Sequence, residues 1–290
     1  MAGHMLDTLI SAQQLAQRLG EADLAIVDCR FELGQPHWGA QAYAAARIPG
    51  AVYAHLDRDL SAAPSSASGR HPLPEPQRFA RCLERWGIGA RTQVIAYDQG
   101  PGAYAARLWW LLRWLGHPRV AVLDGGLAAW EACGLPLERG APGTPAPQRF
   151  LGTPDLRLLA ETTEIERLVA TGHLQRGEAV LIDARGADRF AGENETIDPV
   201  AGHIPGALSL PFGGNLEQGR FRPPHLLRQR FLAALAERAP ESAICMCGSG
   251  VTACHNLLAL HISGLTGARL YAGSWSEWIR DPRRPVARGV

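Results

Sequence analysis

The sequence predicts an α/β protein of two similar halves, each a mainly parallel sheet flanked by helices, and three observations carry that prediction. The first is an internal repeat. Leu24-Ala25-Ile26-Val27-Asp28-Cys29-Arg30 matches Ala179-Val180-Leu181-Ile182-Asp183-Ala184-Arg185, and Arg47-Ile48-Pro49-Gly50-Ala51 matches His203-Ile204-Pro205-Gly206-Ala207. Val94 to Asp98 matches Ala243 to Cys247, and Ala121 to Trp130 matches Arg269 to Trp278, in the same order. The second is the alternation, within each half, of short β-branched runs with helical patterns such as Arg107 to Trp114 and Leu226 to Arg238, as buried parallel sheets require. The third is a strand–turn–helix sequence: apolar Ser242 to Met246, then Cys247-Gly248-Ser249-Gly250-Val251, then helical Thr252 to Ile262.

In chain order, residues 6–139 form the first half. It holds the strand ending at Asp28, the Arg47–Ala51 turn, a small-residue loop from Ser61 to Pro76, and the strand ending at Asp98. Trp109 and Trp110 lie in an apolar helical pattern and read as core. Residues 140–154 read as a linker, because Gly140 to Pro147 is rich in proline and glycine. Residues 155–290 form the second half, in which His203 ends a strand or turn and Cys254 and His255 occupy the first helical turn after the cysteine loop as packing and solvent residues. Met1 to Met5 reads as a cloning remnant.

Composition narrows the function. The net charge is +1, which gives no reason to expect nucleic acid or an anionic membrane surface as partner. All 29 basic residues are arginine, so Schiff-base chemistry, pyridoxal-phosphate anchoring and P-loop phosphate binding, which need lysine, are excluded. The six cysteines are irregularly spaced and no secretory leader pattern precedes them, which points to a reducing cytoplasm rather than a disulfide framework. No apolar run reaches membrane-spanning length.

The chemistry concentrates at Cys247. A strand, a tight glycine turn and a helix N-terminus converge backbone N–H groups on one sulfur, and such a cradle stabilises negative charge there. Cys247 is therefore expected to be a nucleophile. Asp98 takes the equivalent position in the first half and cannot carry a transferable sulfur, so the second half is catalytic and the first is a structural partner. A zinc site built from Cys245, Cys247, Cys254 and His255 lacks ligand spacing. Cys245 reads as core, a redox role for it or for Cys254 staying open. A Cys-x5-Arg phosphatase loop is excluded, because its arginine position is Ala253.

With these motifs in place, the chain resembles the two-domain rhodanese superfamily of sulfurtransferases over nearly its whole length, through Asp183-Ala184-Arg185, His203-Ile204-Pro205-Gly206-Ala207 and the Cys247 loop. The resemblance implies tandem rhodanese-like domains, the first inactive and the second catalytic, with no metal or organic cofactor. The uncharged loop Cys247-Gly248-Ser249-Gly250-Val251-Thr252 is similar to that of 3-mercaptopyruvate sulfurtransferases. That similarity implies transfer of a sulfane sulfur through a Cys247 persulfide, held by loop N–H groups from Gly248 through Gly250 and Val251 to Thr252. The acceptor would be thiophilic: cyanide or a thiol such as thioredoxin. It also implies that Arg189 binds the donor's carboxylate and that Ser249, His71 and Asp57 form a proton relay. Thiosulfate:cyanide transfer, or a non-enzymatic persulfide carrier or sensor, is the alternative. One departure stands out: the family's second substrate arginine falls nine residues after the first, and here that residue is Asp198. An acidic segment from Gly192 to Val200 repels a carboxylate unless it points away.

Overall fold

A computed structural model of the chain describes residues 5–289, so the remnant assigned to Met1 to Met5 lies, but for Met5, outside the described residues. The chain divides into two compact units.

The first unit runs to Ala62, resumes over Pro74–Asp155 and takes in Gln218–Arg220. Its elements are β1 (Leu9–Ile10), α1 (Ala12–Ala16), β2 (Leu24–Asp28), α2 (Trp38–Ala45), β3 (Val52–Tyr53), α3 (Pro76–Arg85), β4 (Gln93–Tyr97), α4 (Ala103–Trp114), β5 (Val120–Leu123) and α5 (Gly126–Ala132). The sheet order is β1-β5-β4-β2-β3, and every pair is parallel. Ile26, Ile95, Tyr97, Ala121 and Leu123 pack with Leu15, Tyr43, Leu127 and Trp130 from α1, α2 and α5. The alternate strand residues Val27, Val94, Ala96, Val120 and Val122 are equally buried, so both faces of the sheet are covered. That is why these strands read as unbroken apolar runs. Ten of the twelve α4 residues are buried, Trp109 and Trp110 among them, as a helix apolar on all sides requires.

The second unit comprises Ala63–Leu73, Leu156–Glu217 and the chain from Phe221 on. Its elements are α6 (Thr162–Ala170), β6 (Val180–Asp183), α7 (Ala187–Ala191), β7 (Leu208–Ser209), the short strands β8 (Leu216–Glu217) and β9 (Arg220–Phe221, of which Arg220 falls in the first unit), α8 (Pro224–Leu235), β10 (Ala243–Met246), α9 (Thr252–Ile262), β11 (Arg269–Leu270) and α10 (Ser274–Trp278). The parallel sheet order is β11-β10-β6-β7. Met246 pairs with Asp183 as Tyr97 pairs with Asp28, so Cys247 and Asp98 each follow their strand at the same register. α8 stops at Leu235, short of Arg238, because Ala236 and Glu237 turn into the left-handed region.

Two boundaries differ from those read along the chain. Residues 63–73, placed with the first half by position, belong to the second unit: Gly69 N–H donates to Glu277 Oε2 (3.3 Å) and Arg70 N–H to Ser276 Oγ (3.0 Å). The stretch 140–154 is not a free tether but packs with the first unit. Gly140 O accepts from Arg47 Nη1 (2.9 Å), and Phe150 N–H donates to Glu84 Oε1 (3.2 Å). His255 is also corrected: it is fully buried, stacked on Phe221 at 4.4 Å between ring centroids, rather than facing solvent.

The repeated Asp-x-Arg pins each strand end to the turn after it. Asp183 accepts the Arg185 backbone N–H (3.0 Å) and its guanidinium (2.8 Å at Nη2), while the same Nη2 reaches Gly202 O (2.8 Å). Asp28 and Arg30 repeat this, with Nη2 on Ala46 O (2.7 Å). Both pairs are buried, and truncating one partner leaves an uncompensated buried charge. Arg185→Ala is therefore expected to lower unfolding free energy by about 3–5 kcal/mol, read from denaturant midpoints. A loss below about 1 kcal/mol, the scale of an exposed pair, would reject this account of the motif.

Candidate active site

Cys247 leaves β10 into a loop whose backbone is held from behind by α10. Its N–H donates to Ser274 Oγ (3.1 Å), its carbonyl accepts Trp275 N–H (3.0 Å), and Gly248 O accepts Ser276 N–H (2.9 Å). Ser274 sits at φ +55°, a conformation that costs a side-chain-bearing residue roughly 1–2 kcal/mol. The repeat places Gly126, at φ +57°, in the matching position of the first half. The second half thus keeps a serine where the backbone favours glycine, and that serine's hydroxyl orients the Cys247 amide. The Cys247 Sγ accepts Gly250 N–H at 3.1 Å. Gly250 lies at φ +76°, and a Cβ there would fall 2.4 Å from Ala272 O, so no other residue fits. Val251 and Thr252 then open α9, completing the strand–loop–helix cradle.

The first unit displays what such a loop holds. Asp98, fully buried, accepts N–H bonds from Gly100 (3.0 Å), Gly102 (3.0 Å), Tyr104 (2.9 Å) and Ala105 (3.3 Å). Burial pushes its carboxyl up, and these four N–H groups work against that rise. The repeated loop therefore encloses an acidic side chain with four amides in one unit and a sulfur in the other.

Beside Cys247, Ser249 Oγ lies 2.7 Å from His71 Nδ1, both side chains being buried. The two relay residues expected from 178 positions apart are thus brought together by the 63–73 segment. Asp57 belongs to the first unit and is exposed, its N–H donating to His55 Nδ1 (3.2 Å).

Arg189, in α7, is held by acids. Its Nε and Nη2 bond both oxygens of Glu195 at 2.9–3.1 Å, and Nη2 also reaches Asp198 Oδ2 at 3.1 Å. The acidic segment does not point away, contrary to the expectation for a carboxylate site. It folds beneath the arginines and neutralises itself against them. Burial raises the Glu195 carboxyl, but Arg189 and the N–H groups of Asp198 and Ile197 outweigh that and leave it below its ordinary value. In Asp198 burial prevails and the carboxyl stays above its ordinary value, although Arg70 and Arg189 pull it down. Asp198 is also ion-paired to Arg70 Nη1.

Arg70 and Ser274 are the site residues that sequence reading missed. Arg70 adjoins His71, and Ser274 stands where the repeat has glycine; those were the available signals. Cys245 is fully buried, and burial pushes its thiol far up, which disfavours the thiolate there. Cys254 donates its thiol to Gly250 O (3.3 Å). Among the described residues no three His, Cys, Asp or Glu side chains are grouped to hold a metal ion, and no helix is long and apolar enough to cross a membrane.

Paired parallel α/β units with a cysteine loop at the carboxyl end of a central strand define a class, and the rhodanese-like domain model matches residues 11–133 and 166–281. The chain belongs to the rhodanese family and is an enzyme of the sulfurtransferase class. It is 53% identical over 284 residues to the "Probable 3-mercaptopyruvate sulfurtransferase" of Pseudomonas aeruginosa, covering 97% of this chain and 98% of the relative. It is 38% identical over 285 residues to the "Putative thiosulfate sulfurtransferase SseB" of Mycobacterium tuberculosis, covering 97% of each. The solved 3-mercaptopyruvate sulfurtransferase of Leishmania major superposes with a TM-score of 0.82 at 32% identity, over 94% of this chain and 74% of that one.

Proposed function

We propose that this enzyme takes a sulfane sulfur from 3-mercaptopyruvate onto Cys247 and passes it to a thiophilic acceptor, cyanide or a thiol such as that of thioredoxin. The observation that carries this reading is the Gly250 N–H at 3.1 Å from the Cys247 Sγ, in a loop whose counterpart surrounds an acid with four amides. The Cys247 thiolate attacks the donor sulfur, forming the S–S bond as the S–C bond breaks. The carbon fragment leaves as the enolate of pyruvate and takes up one proton, leaving Cys247 as a persulfide. Loop N–H groups from Gly248 to Thr252 stabilise charge on the outer sulfur. The Ser249–His71 pair, with Asp57 as its third member, moves the proton. Attack by the acceptor on the outer sulfur then restores the thiolate, giving ping-pong kinetics. The first domain, with Asp98 in place of the cysteine, is inactive, and the compartment is the cytoplasm.

Arg189 binds the donor carboxylate in this reading, its Nη1 making no hydrogen bond among the described residues. Arg189→Ala is expected to raise the apparent KM for 3-mercaptopyruvate by roughly 10- to 100-fold, the scale of a charge-assisted pair. An unchanged KM would remove Arg189 from the substrate site. Sulfur release from 3-mercaptopyruvate and from thiosulfate, measured side by side, tests the donor. Preference for 3-mercaptopyruvate supports the proposal. Preference for thiosulfate, the donor in the name of the Mycobacterium tuberculosis relative, would replace it with thiosulfate:cyanide transfer. Activity with neither donor would favour a persulfide carrier.

A further inference from the structure

We propose that Ser276 and Glu277 are positioning residues for the proton relay, fixing the chain around His71 to the helix that holds the Cys247 loop. The inference deepens the sulfur-transfer reading and rests on its Ser249–His71 step. The internal repeat separates what holds the loop from what is added in the second half. In both halves the last helix holds the loop by its backbone. Leu127 N–H donates to Asp98 O (2.9 Å) and Ala128 N–H to Gln99 O (3.3 Å), as Trp275 N–H donates to Cys247 O (3.0 Å) and Ser276 N–H to Gly248 O (2.9 Å). The side chains differ. Where α5 has Ala128-Ala129, α10 has Ser276-Glu277. Both added polar groups bond one segment: Ser276 Oγ accepts Arg70 N–H (3.0 Å), and Glu277 Oε2 accepts Gly69 N–H (3.3 Å).

His71 comes directly after these two anchored amides, its Nδ1 2.7 Å from Ser249 Oγ. Ser276, buried, therefore bonds the nucleophile loop with its backbone and the relay segment with its side chain. Gly69 permits the close approach: a Cβ there would fall 2.6 Å from Gly273 O and 2.8 Å from Ser276 Oγ. The other oxygen of Glu277 accepts the Thr162 hydroxyl, which fixes the carboxylate, and Arg280 Nε adds a bond to Ser68 O (3.2 Å). The run Ala63-Pro64-Ser65-Ser66-Ala67-Ser68-Gly69 has no large apolar side chain with which to pack itself in place. Its position beside the loop rests on bonds made by α10. Loosening them changes the His71-to-Ser249 distance, an error in geometry that lowers turnover while leaving donor binding intact.

A mutant cycle on the full chain tests this. Ser276→Ala with Glu277→Ala, which copies the first half's sequence into α10, is expected to lower kcat for 3-mercaptopyruvate about tenfold, with KM within about twofold. In a His71→Ala background the same two substitutions should cost less than about twofold, because the relay they position is gone. Glu277→Gln keeps an oxygen for Gly69 N–H and should stay within about threefold of the parent kcat. If the double variant does not fold, Ser276→Ala alone runs the same cycle, with about a threefold loss expected. Damage to the Cys247 loop itself would lower kcat equally in both backgrounds, and that result would overturn the assignment. So would a double variant within about twofold of the parent kcat while His71→Ala is impaired, which sinks this inference alone. Parent-like kcat in His71→Ala would remove the relay step and this inference with it, leaving sulfur transfer through Cys247 in place.

Discussion

Replacing Cys247 by serine is expected to abolish sulfur release, with a loss of at least about a thousand-fold in kcat. The substitution changes one atom in a buried position and leaves the loop's backbone bonds untouched. Cys247 N–H still meets Ser274 Oγ, and the carbonyl still meets Trp275. Folding should survive, so thermal midpoints of the two proteins should agree within a few degrees. The lost rate then reflects the nucleophile alone: an alcohol ionises far less than a thiol and forms no persulfide. Retained turnover in a folded Cys247→Ser protein would end the mechanism, whatever the donor.

Gly250→Ala should be almost as damaging, although it touches no reacting side chain. Its φ of +76° is open to glycine, and the added Cβ would lie 2.4 Å from the Ala272 carbonyl, a backbone atom that cannot rotate away. The loop must move to admit it, and the moving part is the amide that bonds the Cys247 sulfur at 3.1 Å. A displacement of one ångström at a reacting centre costs about a hundredfold. We expect kcat to fall by at least that factor, with unfolding free energy lowered by only about 1–3 kcal/mol. A Gly250→Ala enzyme within a few-fold of wild-type kcat would show that the cradle geometry does not govern the reaction.

The parts of this molecule that could be read from its sequence are those written in consecutive residues. The repeat, the alternation of strands and helices, and the cysteine between Met246 and Gly248 are local patterns with local causes. Asp98 opposite Cys247 then gave the asymmetry of the two halves, and the register of β4 and β10 agrees with that alignment. What could not be read depends on where distant segments land. Arg70 lies in a loop of small residues with no periodicity, and its anchor Ser276 is 206 positions away. For the same reason 63–73 was assigned by chain position to the wrong unit. Asp198 carried the charge expected to repel the donor, because a sequence shows the sign of a residue but not its partner. Ser274 was present in a matched block, yet only backbone torsions reveal that it occupies a glycine's conformation.

The most direct test of sulfur transfer through Cys247 is the mass of the protein after one equivalent of 3-mercaptopyruvate is added without an acceptor. The account predicts a gain of one sulfur atom on the peptide that carries Cys247, with one equivalent of pyruvate released, and removal of that sulfur by cyanide. Pyruvate formed with no added sulfur, or sulfur found on Cys245 or Cys254 instead, would contradict it.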